Sequence, residues 1–95
     1  MRSSFADYRR HALDAWSRLP CTRGRPPRSD RAVLLDLYRR QIPLSLVLVA
    51  FRLACARRSP DLPPVRSVAY FRSVIDELLH ADPQYLAYLD ARLSR

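Results

Sequence analysis

Residues 41–58, QIPLSLVLVAFRLACARR, form the most apolar stretch of the chain, and the fold turns on how they are read. The run at 44–51, LSLVLVAF, suits a buried strand or a buried helix equally well. Its continuation into RLACARR favours a helix. Pro43 fits the first helical turn, where its missing N–H costs nothing. Leu46, Val47, Val49, Ala50, Leu53 and Ala54 then cover much of the helix circumference, as expected of a helix at the centre of a bundle. The predicted helix spans 43–58.

Outward from this segment, prolines punctuate the chain, which has eight prolines and one glycine. PCTRGRPPRS (20–29) and RRSPDLPP (57–64) separate three helical blocks, and Asp82-Pro83 makes a further break. The first block predicts a helix over 5–19, capped by Ser3 or Ser4, with Phe5, Tyr8, Ala12, Trp16 and Leu19 on one face. An Arg/Pro linker follows at 20–29. Ser29-Asp30 form an N-cap pair for a helix over 30–41 through Val33, Leu34, Leu37 and Tyr38. After the proline-rich loop at 59–66, Ser67 caps a helix over 67–81, with Val68, Phe71, Val74 or Ile75, Leu78 and Leu79 inward. Asp82 and Pro83 open a last helix over 83–94, with Tyr85, Leu86, Leu89 and Leu93 on its apolar side. No stretch alternates polar and apolar residues as a half-buried strand would. The expectation is all-α: one domain over 1–95, a compact bundle of about five helices around a hydrophobic third helix.

The 95 residues are 48% hydrophobic, enough for a core, and carry 17 basic against 9 acidic residues, a net charge of +8. Every basic residue is an arginine. The guanidinium fork suits phosphate and base edges and stacks on rings, so the surplus points to an anionic partner, nucleic acid first. No apolar run approaches the ~20 residues that cross a bilayer, and the first residues lack the apolar core of a signal peptide. The expected protein is soluble and cytoplasmic, with no membrane contact. Cys21, Cys55, His11 and His80 lack ligand-like spacing. No metal or cofactor is expected, and both thiols are read as unpaired in a reducing compartment.

Arg23-Gly24-Arg25-Pro26 resembles the core of an AT-hook, in which glycine lets the backbone approach a minor-groove floor while the arginines lie along it. The same residues also make a semi-rigid, hydrated linker. Set between two helices, and joined by Arg28 and Arg31, the stretch reads as an extended cationic connector that contacts phosphate first and reads a groove second. Arg9, Arg10, Arg39, Arg40, Arg57 and Arg58 are further phosphate-contact candidates, while Tyr8, Tyr38 and Phe71 read as core. Catalytic signals are sparse: Asp76 and Glu77 are adjacent and diverge on a helix, and one glycine cannot build a phosphate loop. No enzyme is expected.

Residues 37–79 resemble a helical segment near the C-terminus of some bacterial and mobile-element replication initiator proteins and, more distantly, the DnaD-like domain of helicase loaders. The matching pieces are Ile42-Pro43-Leu44 opening one helix, Arg57-Arg58 closing it, and Val65-Arg66-Ser67-Val68-Ala69-Tyr70-Phe71 leading into Val74-Ile75. In those proteins the segment follows a winged-helix domain and contributes to DNA or partner contacts. Here an arginine-rich helix and linker stand in that place.

The resulting expectation is a non-catalytic, basic accessory subunit that contacts DNA or RNA phosphates mainly independently of sequence, through Arg9, Arg10, Arg23, Gly24, Arg25, Arg28, Arg39, Arg40, Arg57 and Arg58. Its setting would be a larger replication, transposition or RNA-guided complex. The alternative is a helical protein-interaction adaptor docking through Tyr85, Tyr88 and Leu89.

Overall fold

The computed structural model describes residues 4–93 and is an all-α bundle of five helices. They are α1 (Phe5–Ser17), α2 (Asp30–Arg39), α3 (Leu44–Arg57), α4 (Arg72–Leu79) and α5 (Pro83–Leu93), with a 3-10 turn, Val68–Phe71, leading into α4. Ser3, the alternative first cap, and residue 94, the expected end of the last helix, lie outside the described residues.

Local chemistry accounts for the helix ends. The Ser4 hydroxyl accepts the Asp7 amide at 3.2 Å, satisfying one of the orphan donors of the first turn. The α1 helix stops at Ser17, two residues short of expectation. Arg18 and Leu19 donate to the carbonyls of Ala15 and Trp16, tightening the last turn, because Pro20 disfavours a helical Leu19. The Asp82 carboxylate accepts the Gln84 amide at 2.7 Å and caps α5.

The expected Ser29-Asp30 cap takes a different form. Ser29 makes no side-chain cap bond, and Asp30 belongs to the helix. The buried Asp30 carboxylate instead crosses the bundle, accepting the Ser67 hydroxyl at 2.9 Å and the Val68 amide at 2.7 Å. Ser67 caps as expected, its hydroxyl accepting the Ala69 amide at 3.2 Å, but the turn it opens is the 3-10 turn Val68–Phe71, and α4 begins only at Arg72.

The α3 helix is the centre of the bundle: Val47, Val49, Ala50, Phe51, Leu53 and Ala54 are all buried, and α1, α4 and α5 pack against it. Tyr8, Ala12 and Trp16, four residues apart, form the buried stripe of α1. Trp16 meets Phe71 edge-on at 5.7 Å between centroids, and Phe51 lies 4.7 Å from Phe71. These three rings lock α1, α3 and the 3-10 turn together. On α5 only Leu89 is buried. Tyr85, expected on the apolar side, is exposed, because Leu86, Leu89 and Leu93 suffice to cover α3.

The two proline-rich segments meet. Val65 donates to Cys21 O at 2.8 Å and Arg23 donates to Val65 O at 3.3 Å, forming an isolated parallel bridge between Thr22 and Val65. Beside it, Cys21 and Cys55 form a disulfide with Cα atoms 5.5 Å apart. This corrects the expectation of two unpaired thiols. The cysteines are 34 residues apart in sequence, but the turn at Pro20 returns the chain to the last turn of α3.

Candidate anion cleft beside the arginine connector

The connector at 20–29 is tied down rather than loosely extended. The indole Nε1 of Trp16 donates to Gly24 O at 3.0 Å, and the Thr22 hydroxyl donates to Trp16 O at 2.6 Å. Gly24 takes a φ of 70°, and a Cβ added there would meet nothing within 4 Å. Glycine is thus needed for its left-handed backbone, and not for a close approach. The bend divides the arginines on either side of it. Arg23 lines a shallow depression of about 510 Å³ with Arg58 and Pro60. Arg25 turns to the other side.

There a cleft of about 920 Å³ opens between α1, the connector and the start of α2. Arg9 and Arg10 line it from α1, Arg25 and Arg28 from the connector, and Arg31 from α2, with Gly24 at its edge. Leu13, Trp16, Leu34, Pro26 and Pro27 supply apolar lining. Arg31 is held over the Phe5 ring at 5.3 Å, a contact that orients the guanidinium without neutralising it.

Two carboxylates also line the cleft, Asp14 exposed and Asp30 buried. Asp14 pairs with Arg18 at 3.3 Å, and Asp30 is occupied by Ser67 and Val68. Arg10 pairs with Asp7 at 3.2 Å in an exposed contact of the kind worth under ~1 kcal/mol. Among the described residues Arg9, Arg25, Arg28 and Arg31 form no ion pair. Their positive charges therefore act on whatever enters the cleft.

The remaining candidates are placed apart. Arg40 bridges Asp36 and Asp76 at 3.6 and 3.7 Å, linking α2 to α4. Arg57 pairs with Glu77 at 3.0 Å, and that hydrogen bond raises the guanidinium pKa above its ordinary value. Arg58 donates to Tyr70 Oη at 2.9 Å and to Pro63 O, clamping the proline-rich loop. Arg39 is exposed near the end of α2. Thus Arg9, Arg10, Arg25 and Arg28 converge with Gly24, whereas Arg40, Arg57 and Arg58 staple helices and loop. Arg31 completes the cleft. Its signal in the sequence was its place one turn after Arg28, at the start of a helix.

No group of three His, Cys, Asp or Glu side chains gathers as metal ligands would among the described residues, and no helix there is long and apolar enough to cross a membrane. With five arginines and two carboxylates in its lining, the cleft is predominantly cationic. No protein-family model, curated protein sequence or solved structure matches the chain.

Proposed function

We propose that the protein is a non-catalytic nucleic-acid-binding accessory subunit that holds phosphates at the rim of the α1–connector cleft. One observation carries this: five arginines line one cleft, and four of them have no carboxylate partner among the described residues. Arginine neutralises phosphate and releases its counterions, so affinity should track salt more than sequence. The resemblance of residues 37–79 to replication-initiator segments supports a replication, transposition or RNA-guided complex as the setting.

That setting is cytoplasmic, where thiol reductants oppose disulfides. The proposal therefore requires a cleft that persists when Cys21 and Cys55 are reduced. It is supported by ties on the connector that do not involve sulfur: Trp16 to Gly24, Thr22 to Trp16, and the Val65 bridge.

Fluorescence anisotropy of a labelled oligonucleotide at several salt concentrations tests the proposal. About four to five phosphate contacts predict a log–log salt slope of about −3 for a single strand. Arg25→Ala with Arg28→Ala should flatten that slope by about 1.4 while the circular dichroism stays unchanged. A flat salt response in the unaltered protein would overturn the proposal.

The adaptor reading has its own support in Tyr85 and Tyr88, both exposed, with near-parallel rings 6.4 Å apart. An adaptor would keep its protein partner in the Arg25→Ala, Arg28→Ala variant and lose it in Tyr85→Ala, Tyr88→Ala.

A further inference from the structure

We infer that the cleft accepts an unpaired base between its cationic rims, so that the ligand class is single-stranded nucleic acid rather than duplex. The inference rests on nucleic-acid binding through this cleft and adds what lies beneath the phosphates.

A rim of arginines is all that phosphate contact needs, yet the cleft also has an apolar interior. Leu13 and Pro26 are half-buried, Pro27 is exposed, and Trp16 and Leu34 close the space beneath them. A phosphodiester gives such a surface nothing to bury. A nucleobase does, because its faces are apolar and stack on flat groups, guanidinium planes included. The volume of about 920 Å³ lies within the range of pockets that enclose small organic groups. A duplex keeps its bases stacked inside and presents a convex backbone, so it could reach the arginines while leaving the interior empty.

The walls are set before binding. Trp16 is packed against Phe51 and Phe71 and holds Gly24 by its indole N–H, and the Thr22 hydroxyl and the backbone bonds to Val65 fix the start of the connector. A pre-set cleft loses little freedom on binding. The connector wall also excludes one competing ligand geometry. Pro26 and Pro27 remove two successive N–H donors, so an extended peptide cannot pair with this wall as an added strand.

The test compares three labelled ligands of about twelve units, within the span of single-strand sites. They are an oligothymidylate, an abasic strand of equal length, and a duplex, each measured over the same series of salt concentrations. The oligothymidylate should bind about tenfold tighter than either of the others. A photoactivatable uracil in that strand should cross-link to the tryptic peptide covering residues 11–18 or to the one covering residues 24–28.

Equal affinity for all three ligands, with a steep salt slope, would overturn the base-in-cleft inference and leave phosphate binding intact. A base preference with cross-links only to Tyr85 or Tyr88 would overturn it as well. Binding of a polyglutamate-containing peptide and of no nucleic acid would overturn both this inference and the proposed function.

Discussion

The indole of Trp16 donates to the carbonyl of Gly24 at 3.0 Å, and this one bond connects the hydrophobic core to the cationic cleft. The ring itself is buried against Phe51 and Phe71, so its direction is dictated by packing. The Gly24 carbonyl is then held by a donor that cannot readily move. Gly24 bends the connector with a φ of 70°, and Arg25 follows the bend on the cleft side.

Trp16→Phe should separate packing from positioning. Phenylalanine keeps most of the apolar contact and loses the donor, at a stability cost of about 1–3 kcal/mol from the bond and the vacated volume. Oligonucleotide affinity should fall about three- to tenfold beyond any unfolded fraction, because the connector wall loses its anchor. Denaturant melts and anisotropy on the same sample distinguish the two effects. Loss of stability with unchanged affinity would show that the connector is positioned by its other ties.

The Cys21–Cys55 bond closes a loop of 34 residues. Chain-entropy arguments assign such a cross-link about 3–4 kcal/mol of stability. In a domain of this size that corresponds to a fall of roughly 12–32 °C in Tm on reduction, or in a Cys21→Ser, Cys55→Ser variant. Near room temperature the variant should stay folded and bind oligonucleotide within about twofold of the oxidised protein, since neither sulfur lines the cleft. A reduced chain that unfolds under these conditions would instead tie the fold to an oxidising compartment.

Much of the helical layout was legible because local chemistry determines it. Ser4 and Asp82 cap the helices they precede, and the circumferential apolar pattern of 43–58 does mark the central helix. What stayed hidden depends on segments that meet only in three dimensions. Asp30 reads as a cap for its own helix until Ser67 and Val68 come within reach. Cys21 and Cys55 read as unrelated until Pro20 turns the chain back. Of the arginine candidates, Arg9, Arg25 and Arg40 look alike in sequence, and only the tertiary path shows that Arg40 meets Asp36 and Asp76 while the others face the cleft. Spacing along a helix is encoded locally, and convergence between helices is not.

Gln41 ends α2 in the left-handed region, with φ at 59°. Ile42 donates to Leu37 O at 3.1 Å and Gln41 donates to Tyr38 O at 3.0 Å, the paired bonds of a Schellman ending. Glycine normally occupies this position, and a residue with a Cβ is strained there by ~1 kcal/mol. Gln41→Gly should therefore raise stability by about 0.5–1 kcal/mol in urea melts, despite the added freedom of the unfolded chain. A destabilised variant would mean that the glutamine side chain makes a compensating contact on the exposed face.

Tyr8 provides a pH-dependent check on the α1–α2 packing. Its hydroxyl donates to Ile42 O at 2.9 Å in a buried site, and burial pushes its pKa from 10.0 up to about 12. In the unfolded chain the phenol loses its proton near the ordinary value, while the folded chain holds it until about two units higher. Between these values the unfolded state binds fewer protons, so stability falls with rising pH; below that window the term is constant. The full loss is at most about 3 kcal/mol and should develop between pH 10 and about 12. Tyr8→Phe removes the titrating group and the hydrogen bond together. It should cost about 1 kcal/mol at neutral pH and show a shallower decline above pH 10. The difference between the two proteins removes the exposed Tyr70, Tyr85 and Tyr88, which are common to both. Parallel declines in the two proteins would show that the Tyr8 phenol is hydrated in the fold.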